Sequence, residues 1–190
     1  ALGVAVLIII SSVMNGFERE VTRHILGVTG HAILFRPAEP MSDWQAKMAI
    51  LSKQNNVTAV APFIRSGAML SHRGEVRGVS LQGIDLSLET EVSSIGDYLN
   101  RTKSSNHNNK DTIILGHELA RNLSAGIDQQ VMIIAPRFSD SGGMRAPKYF
   151  QLTVVDHFDV GMHEFDANLA LVPISVAQKV FGYGDDITGL

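Results

Sequence analysis

ALGVAVLIIISSVMNGFEREVTRHILGVTGHAILF, residues 1–35, decides how the rest of the chain is read. Its first fourteen residues carry no charge and are polar only at Ser11 and Ser12. The chain then turns amphipathic without a break. Phe17, Val21 and Leu26 fall near one helical face, while Glu18, Arg19, Glu20 and Arg23 are charged. Gly27 is placed to stop the helix, and HAILF follows as a β-rich run. Fourteen helical residues rise about 21 Å, short of the roughly 30 Å hydrocarbon core of a bilayer. The expectation is the exit end of a transmembrane helix, begun before residue 1 and continuing straight into a water-exposed domain. A signal peptide would show a basic leader and an A-x-A-like cleavage site, and neither is visible. A buried core helix is the other reading, but residues 1–14 are apolar all round rather than along one stripe.

Composition narrows the field. The chain has 190 residues, 45% hydrophobic and 18% charged, with a formal net charge of −3. That is enough for one substantial core or two small ones. The charge is too small and dispersed for a nucleic-acid partner. Cysteine is absent, which excludes a disulfide framework and thiolate metal sites. Aromatic residues make up only 6%, too few for stacking platforms.

Further along, Pro37 and Pro40 end the first strand. Ser42 and Gln45 spell a capping box, and Trp44, Met48 and Leu51 give one apolar helical face. Residues 57–64 read as a strand. Gly67 breaks the pattern, and 68–70 and 76–84 flank a turn at 71–75, predicting a hairpin. Residues 86–99 are weakly helical, and 100–111 are a loop without an aliphatic residue. Strands are expected at 112–115, 131–135, 149–155 and 167–172, helices at 118–123 and 175–181, and the start of a strand at 186–190. Residues 137–146 lie between Pro136 and Pro147 and predict a long projecting hairpin with a Gly-Gly tip.

The fold class predicted is α+β. Strand–helix–strand at both ends implies a discontinuous domain, residues 28–66 and 165–190, with a β-rich domain inserted at 67–164. Residues 1–27 precede both as the membrane-exit helix.

Motifs for catalysis are missing. There is no G-x-x-x-x-G-K-[ST], no G-x-S-x-G and no H-E-x-x-H. His117 and Glu118 have no second histidine at helical spacing. Asp156, His157, Asp159, His163, Glu164 and Asp166 form the richest polar cluster, which a strand followed by a turn explains without a site. No cofactor or metal is expected.

SVMNGFERE, with Asn-Gly between an apolar run and a charged helix, resembles the LolC/LolE family. These are the permease subunits of the lipoprotein-releasing ABC transporter of Gram-negative bacteria. The resemblance continues through VAPFI (60–64), GVSLQGID (78–85), IILGHELARNL (113–123), GMHEFDANLALVPISVAQKVF (161–181) and DDITGL (185–190). It implies a membrane-proximal "porter" built from both ends of the chain and a membrane-distal "sabre" between them. It places the domain in the periplasm, anchored in the inner membrane. The partners implied are a paralogous or identical permease, a separate cytoplasmic ABC ATPase of the LolD type, a lipoprotein client and the periplasmic carrier LolA.

Two sets of residues follow from joining the residue reading to the resemblance. Arg137, Phe138, Met144, Arg145, Pro147 and Tyr149 are candidates for a carrier-docking hairpin, where one family member bears a hook. Arg145–Pro147 resembles the hook's R-x-P, although T-P-x-G is replaced here by SDSGGMR. Val6, Ile10, Val13, Met14 and Phe17 are candidates for a wall against acyl chains. Packing against a neighbouring span explains these residues equally well. The competing functions are a MacB-type efflux permease domain, a membrane-tethered signalling or scaffold domain, and a tethered hydrolase, for which no nucleophile–base pair is visible.

Overall fold

Phe63–His72 (β1) and Glu75–Ile84 (β2) pair residue for residue, from Phe63 opposite Ile84 to His72 opposite Glu75. The two-residue turn between them, Arg73 and Gly74, has φ of 50° and 91°. Two left-handed residues match the twist of the strands they join. The hairpin is therefore longer than expected, and Gly67 does not break it. A Cβ at Gly67 would meet open space, so the glycine interrupts no packing and the ladder runs through it. The computed structural model describes residues 3, 10–14, 32–36, 39–99, 111–138 and 144–190, with backbone alone at 137, 138, 144 and 145.

The remaining strands are Thr112–Gly116 (β3), Gln130–Phe138 (β4), Met144–Phe158 (β5) and Leu169–Pro173 (β6). All six close into a barrel in the order β1-β2-β6-β3-β5-β4. The β2–β6 and β3–β5 pairs are parallel; the others are antiparallel. Ile64, Leu70, Leu81, Ile113, Leu115, Val131, Ile133 and Val154 are fully buried in one cluster. Side chains thus fill the barrel, as its small strand number requires. β3 is buried at every position and β6 at all but its last, as strands covered on both faces must be.

Helices cover the rest: Trp44–Leu51 (α1), Leu86–Val92 (α2), His117–Leu123 (α3), His163–Asn168 (α4) and Ile174–Phe181 (α5). α5 lays Val176, Ala177 and Val180 on the barrel. Gly83 allows that approach, since a Cβ there would stand 2.3 Å from the Cβ of Ala177. α3 buries Leu119, Ala120 and Leu123, and the His72 ring bonds through Nδ1 to the Leu123 carbonyl at 2.9 Å. A second cluster lies outside the barrel, under α2, α4 and the 3₁₀ turn Ser94–Tyr98. It holds Ile84, Ile95, Ile114, Val155, Phe158, Val160, Leu169 and Leu171.

Trp44, Met48 and Leu51 pack on the first cluster as expected. The capping box does not form. Asp43 is the N-cap, with φ 52° and no side-chain cap bond. The helix starts one residue late for Gln45 to occupy the third helical position. Residues 57–62 run without ladder pairing, and the strand begins only at Phe63, which exchanges backbone bonds with Gly189. Residues 32–36 make a single bridge, Phe35 with Gly189, flanked by reciprocal Leu34–Leu190 bonds of 2.9 Å. Residues 186–190 touch three segments through Ile187 and Gly189 rather than starting a continuous strand. The strand expected at 167–172 begins at Leu169, after α4, which the sequence reading missed. A six-residue helix has too few turns to show a period.

Candidate docking hairpin

β4 and β5 pair from Gln130–Thr153 to Phe138–Met144. On its other side β4 meets β1 only over Met132, Ile133 and Ile134. β5 meets β3 only from Thr153 onward. Pairing with the barrel ends at Ile134, and beyond Ala135, still buried in the core, the two strands leave as a two-stranded arm. The loop expected at 137–146 is shorter than predicted, because both strands continue past the prolines. Tyr149 opposes Ile134, Arg137 directly opposes Arg145, and Phe138 opposes Met144. The side chains of Arg137, Phe138, Met144 and Arg145 lie outside the described residues. Pro147 is exposed, and Tyr149 is 61% exposed.

With Lys148 nearby and only Asp140 to offset them in residues 137–149, the arginines give the arm a positive character. At its root, the Met69–Ile134–Tyr149 row crosses three strands on the barrel's outer face, and Met132 lies in the next row. Met69 and Met132 are 45% and 41% exposed. Sequence reasoning missed both methionines; alternation in FIRSGAMLSH and QVMIIAP is the signal that turns them outward.

Of the expected acyl wall, Ile10, Val13 and Met14 lie in the helical stretch 10–14 and are exposed. Val6 and Phe17 lie outside the described residues. Among the described residues, no helix is long and apolar enough to cross a membrane.

The polar cluster divides between the end of β5, which carries Asp156 and His157, and the turn after it, which Asp159 and Asp166 hold. Asp166, buried at 4% exposure, accepts from the Val160 amide at 2.9 Å, and Asp159 accepts from the Gly161 amide at 3.1 Å. Burial and the neighbouring Asp159 raise the Asp166 pKa, against the amides of Val160 and Met162. Burial lowers that of His157, opposed by the Ala125 backbone and by Asp156. No three His, Cys, Asp or Glu converge on a metal-sized site among the described residues. Because Asp166 binds its proton more tightly folded than unfolded, its ionisation costs stability. That cost is absent below the ordinary carboxylate range and grows as pH rises through the raised folded pKa. Asp166→Asn keeps an acceptor for Val160 and removes the titration. The variant should show a flatter fall of denaturation midpoint with rising pH; parallel profiles would disprove the assignment.

A cleft of about 770 Å³ separates residues 32–34 and 56–61 from α2 and the outer face of β2 and β6. Arg65 stacks over Phe63 at 5.5 Å and donates to Gln82 Oε1 at 2.9 Å along its wall. Glu89, also lining it, is pushed up by burial and held back by Ser93 and Arg65.

The family described as MacB-like periplasmic core domain matches residues 1–189. The lipoprotein-releasing system transmembrane protein LolC of Neisseria meningitidis serogroup B is 32% identical over 191 residues, all of this chain and 46% of that protein. LolE of Haemophilus influenzae is 30% identical over 197 residues, again all of this chain and 47% of that protein. The chain thus spans about half the length of these curated relatives. Among solved structures, the extracellular domain of the noncanonic ABC-type transporter YknZ from Gram-positive bacteria has a TM-score of 0.53 at 15% identity, over 83% of this chain and 79% of that one.

Proposed function

The chain belongs to the MacB-like periplasmic core domain family, and from that premise we propose that it is the periplasmic part of a permease that releases lipoproteins from the inner membrane. The names of the relatives that cover it end to end support this reading over drug efflux. A paralogous or identical permease, a separate ATPase, a lipoprotein client and the carrier LolA are the partners proposed with it. Hydrolysis of ATP belongs to the ATPase; this sequence has no phosphate-cradling loop.

The observation that carries a docking role is the arm: two strands leaving the barrel with Arg137 opposite Arg145. A carrier rim bearing carboxylates is drawn to the arm's positive charge, and Phe138, Met144 and Tyr149 supply apolar anchors. We assign residues 28–66 and 165–190 to a membrane-proximal porter and 67–164 to the sabre. The Phe35–Gly189, Met41–Ile187 and Phe63–Gly189 bridges support joining the two ends, while β6 carries the second segment into the barrel. Ile10, Val13 and Met14, with Val6 and Phe17, are proposed to face acyl chains.

The test is reconstitution of the full-length permease with its ATPase and partner permease in proteoliposomes loaded with a fluorescent lipoprotein. Release to the soluble fraction should require both ATP and carrier. Extrusion of an amphipathic drug with no release of lipoprotein would replace this reading with the efflux one.

A further inference from the structure

An isolated two-stranded ribbon is marginally stable and does not hold a direction by itself. Along β4 and β5 the pairing is regular from Gln130–Thr153 to Ala135–Lys148, then resumes at Arg137–Arg145. One residue of β4, Pro136, thus stands opposite two of β5, Ala146 and Pro147. All three are exposed. A bulge of this kind bends the strand that carries it and increases the local twist. Proline has no amide hydrogen and a fixed φ, so neither Pro136 nor Pro147 can donate a ladder bond that would straighten the step. The step falls just outside Ala135, the last residue of β4 buried in the core, and two residues past its last pairing with β1 at Ile134.

We propose that Pro136 and Pro147 form a preset elbow that aims the arm, with Pro136 acting as a positioning residue that need not touch the partner. The proposal rests on the docking reading only for its consequence, since the bend itself belongs to the protein without a carrier. An arm held at one angle spends less conformational entropy on docking than one that swings. Replacing the prolines restores two amides, lets the extra residue slip along the ladder and frees the angle.

These 190 residues hold no cysteine, and any elsewhere in the full-length permease is first replaced by serine so that two can be introduced. Spin labels at Asn122→Cys on α3 and Met144→Cys on the arm of the full-length permease report the angle as a distance distribution. With both prolines present the distribution should be narrow; in Pro136→Ala/Pro147→Ala it should broaden or shift, with the unfolding midpoint unchanged. Pro136→Val, which restores the amide but keeps a bulky strand-forming side chain, should act in the same direction and serves if the double variant folds poorly. Carrier affinity, measured in the parent and the proline variants without the two cysteines and labels, should fall about fivefold. An unchanged distribution in both variants overturns the elbow. A changed distribution, with no carrier binding even by the parent protein, upholds the elbow and removes the docking reading instead.

Discussion

Phe158→Ala should destabilise the domain by about 3–5 kcal/mol, the range for truncating a fully buried phenylalanine. Phe158 ends β5, pairs with Gly116 of β3 and bridges to Leu99 after the 3₁₀ turn. It is 0% exposed within the outer cluster, beside Ile114, Val155 and Val160. The site has little room to collapse. A Cβ at Gly116 would stand 2.3 Å from the Asp166 carbonyl oxygen, so α4 already rests on the backbone of β3. A loss of this size is a large share of the 5–15 kcal/mol that holds a typical domain together. Urea denaturation should show a lower midpoint with an unchanged slope. A cost below about 1 kcal/mol would mean that the outer cluster relaxes freely and does not fasten α2 and α4 to the barrel.

Other parts of the fold differ in how far local sequence decides them. The apolar stripe Trp44–Met48–Leu51 was legible because local spacing alone decides a helix face. The β1–β2 hairpin was legible because polar turn residues separate two apolar runs, although its strands extend further than expected. Closure of the barrel was not legible. β6 lies between β2 and β3, and Leu169–Ala170–Leu171–Val172 reads as an apolar run whether its neighbours are near or far in sequence. The projecting hairpin is legible from its prolines and Gly-Gly tip, but the length of its loop is not. Pro, Gly and Ser suggested a loop, whereas pairing with the opposite strand carries β4 to Phe138 and brings β5 in from Met144. Composition marks where a ladder is weak; the facing strand decides where it ends.

Replacing residues 137–145 by an Asn-Gly turn should lower carrier affinity at least tenfold, about 1.4 kcal/mol, while leaving thermal stability nearly unchanged. Stability is spared because Ala135 of β4 and Phe150 of β5 are the last residues on each side to pack with either hydrophobic cluster. Affinity is lost because the excision removes the opposed Arg137–Arg145 pair together with Phe138 and Met144. Arg145→Glu separates charge from shape. It leaves the arm's length intact and withdraws two units of positive charge. Its main effect should be on the association rate, and the difference from the parent should shrink as salt is raised, since steering by exposed charge is screened over about 10 Å at 0.1 M ionic strength. The shortened variant should instead lose affinity at every salt concentration. Carrier binding and lipoprotein release both unchanged by the excision would move docking off the arm. The row at its root, exposed Met69 and Tyr149 with half-buried Ile134 between them, is too short of charge to steer but well placed to be covered, and would then be the surface to truncate next.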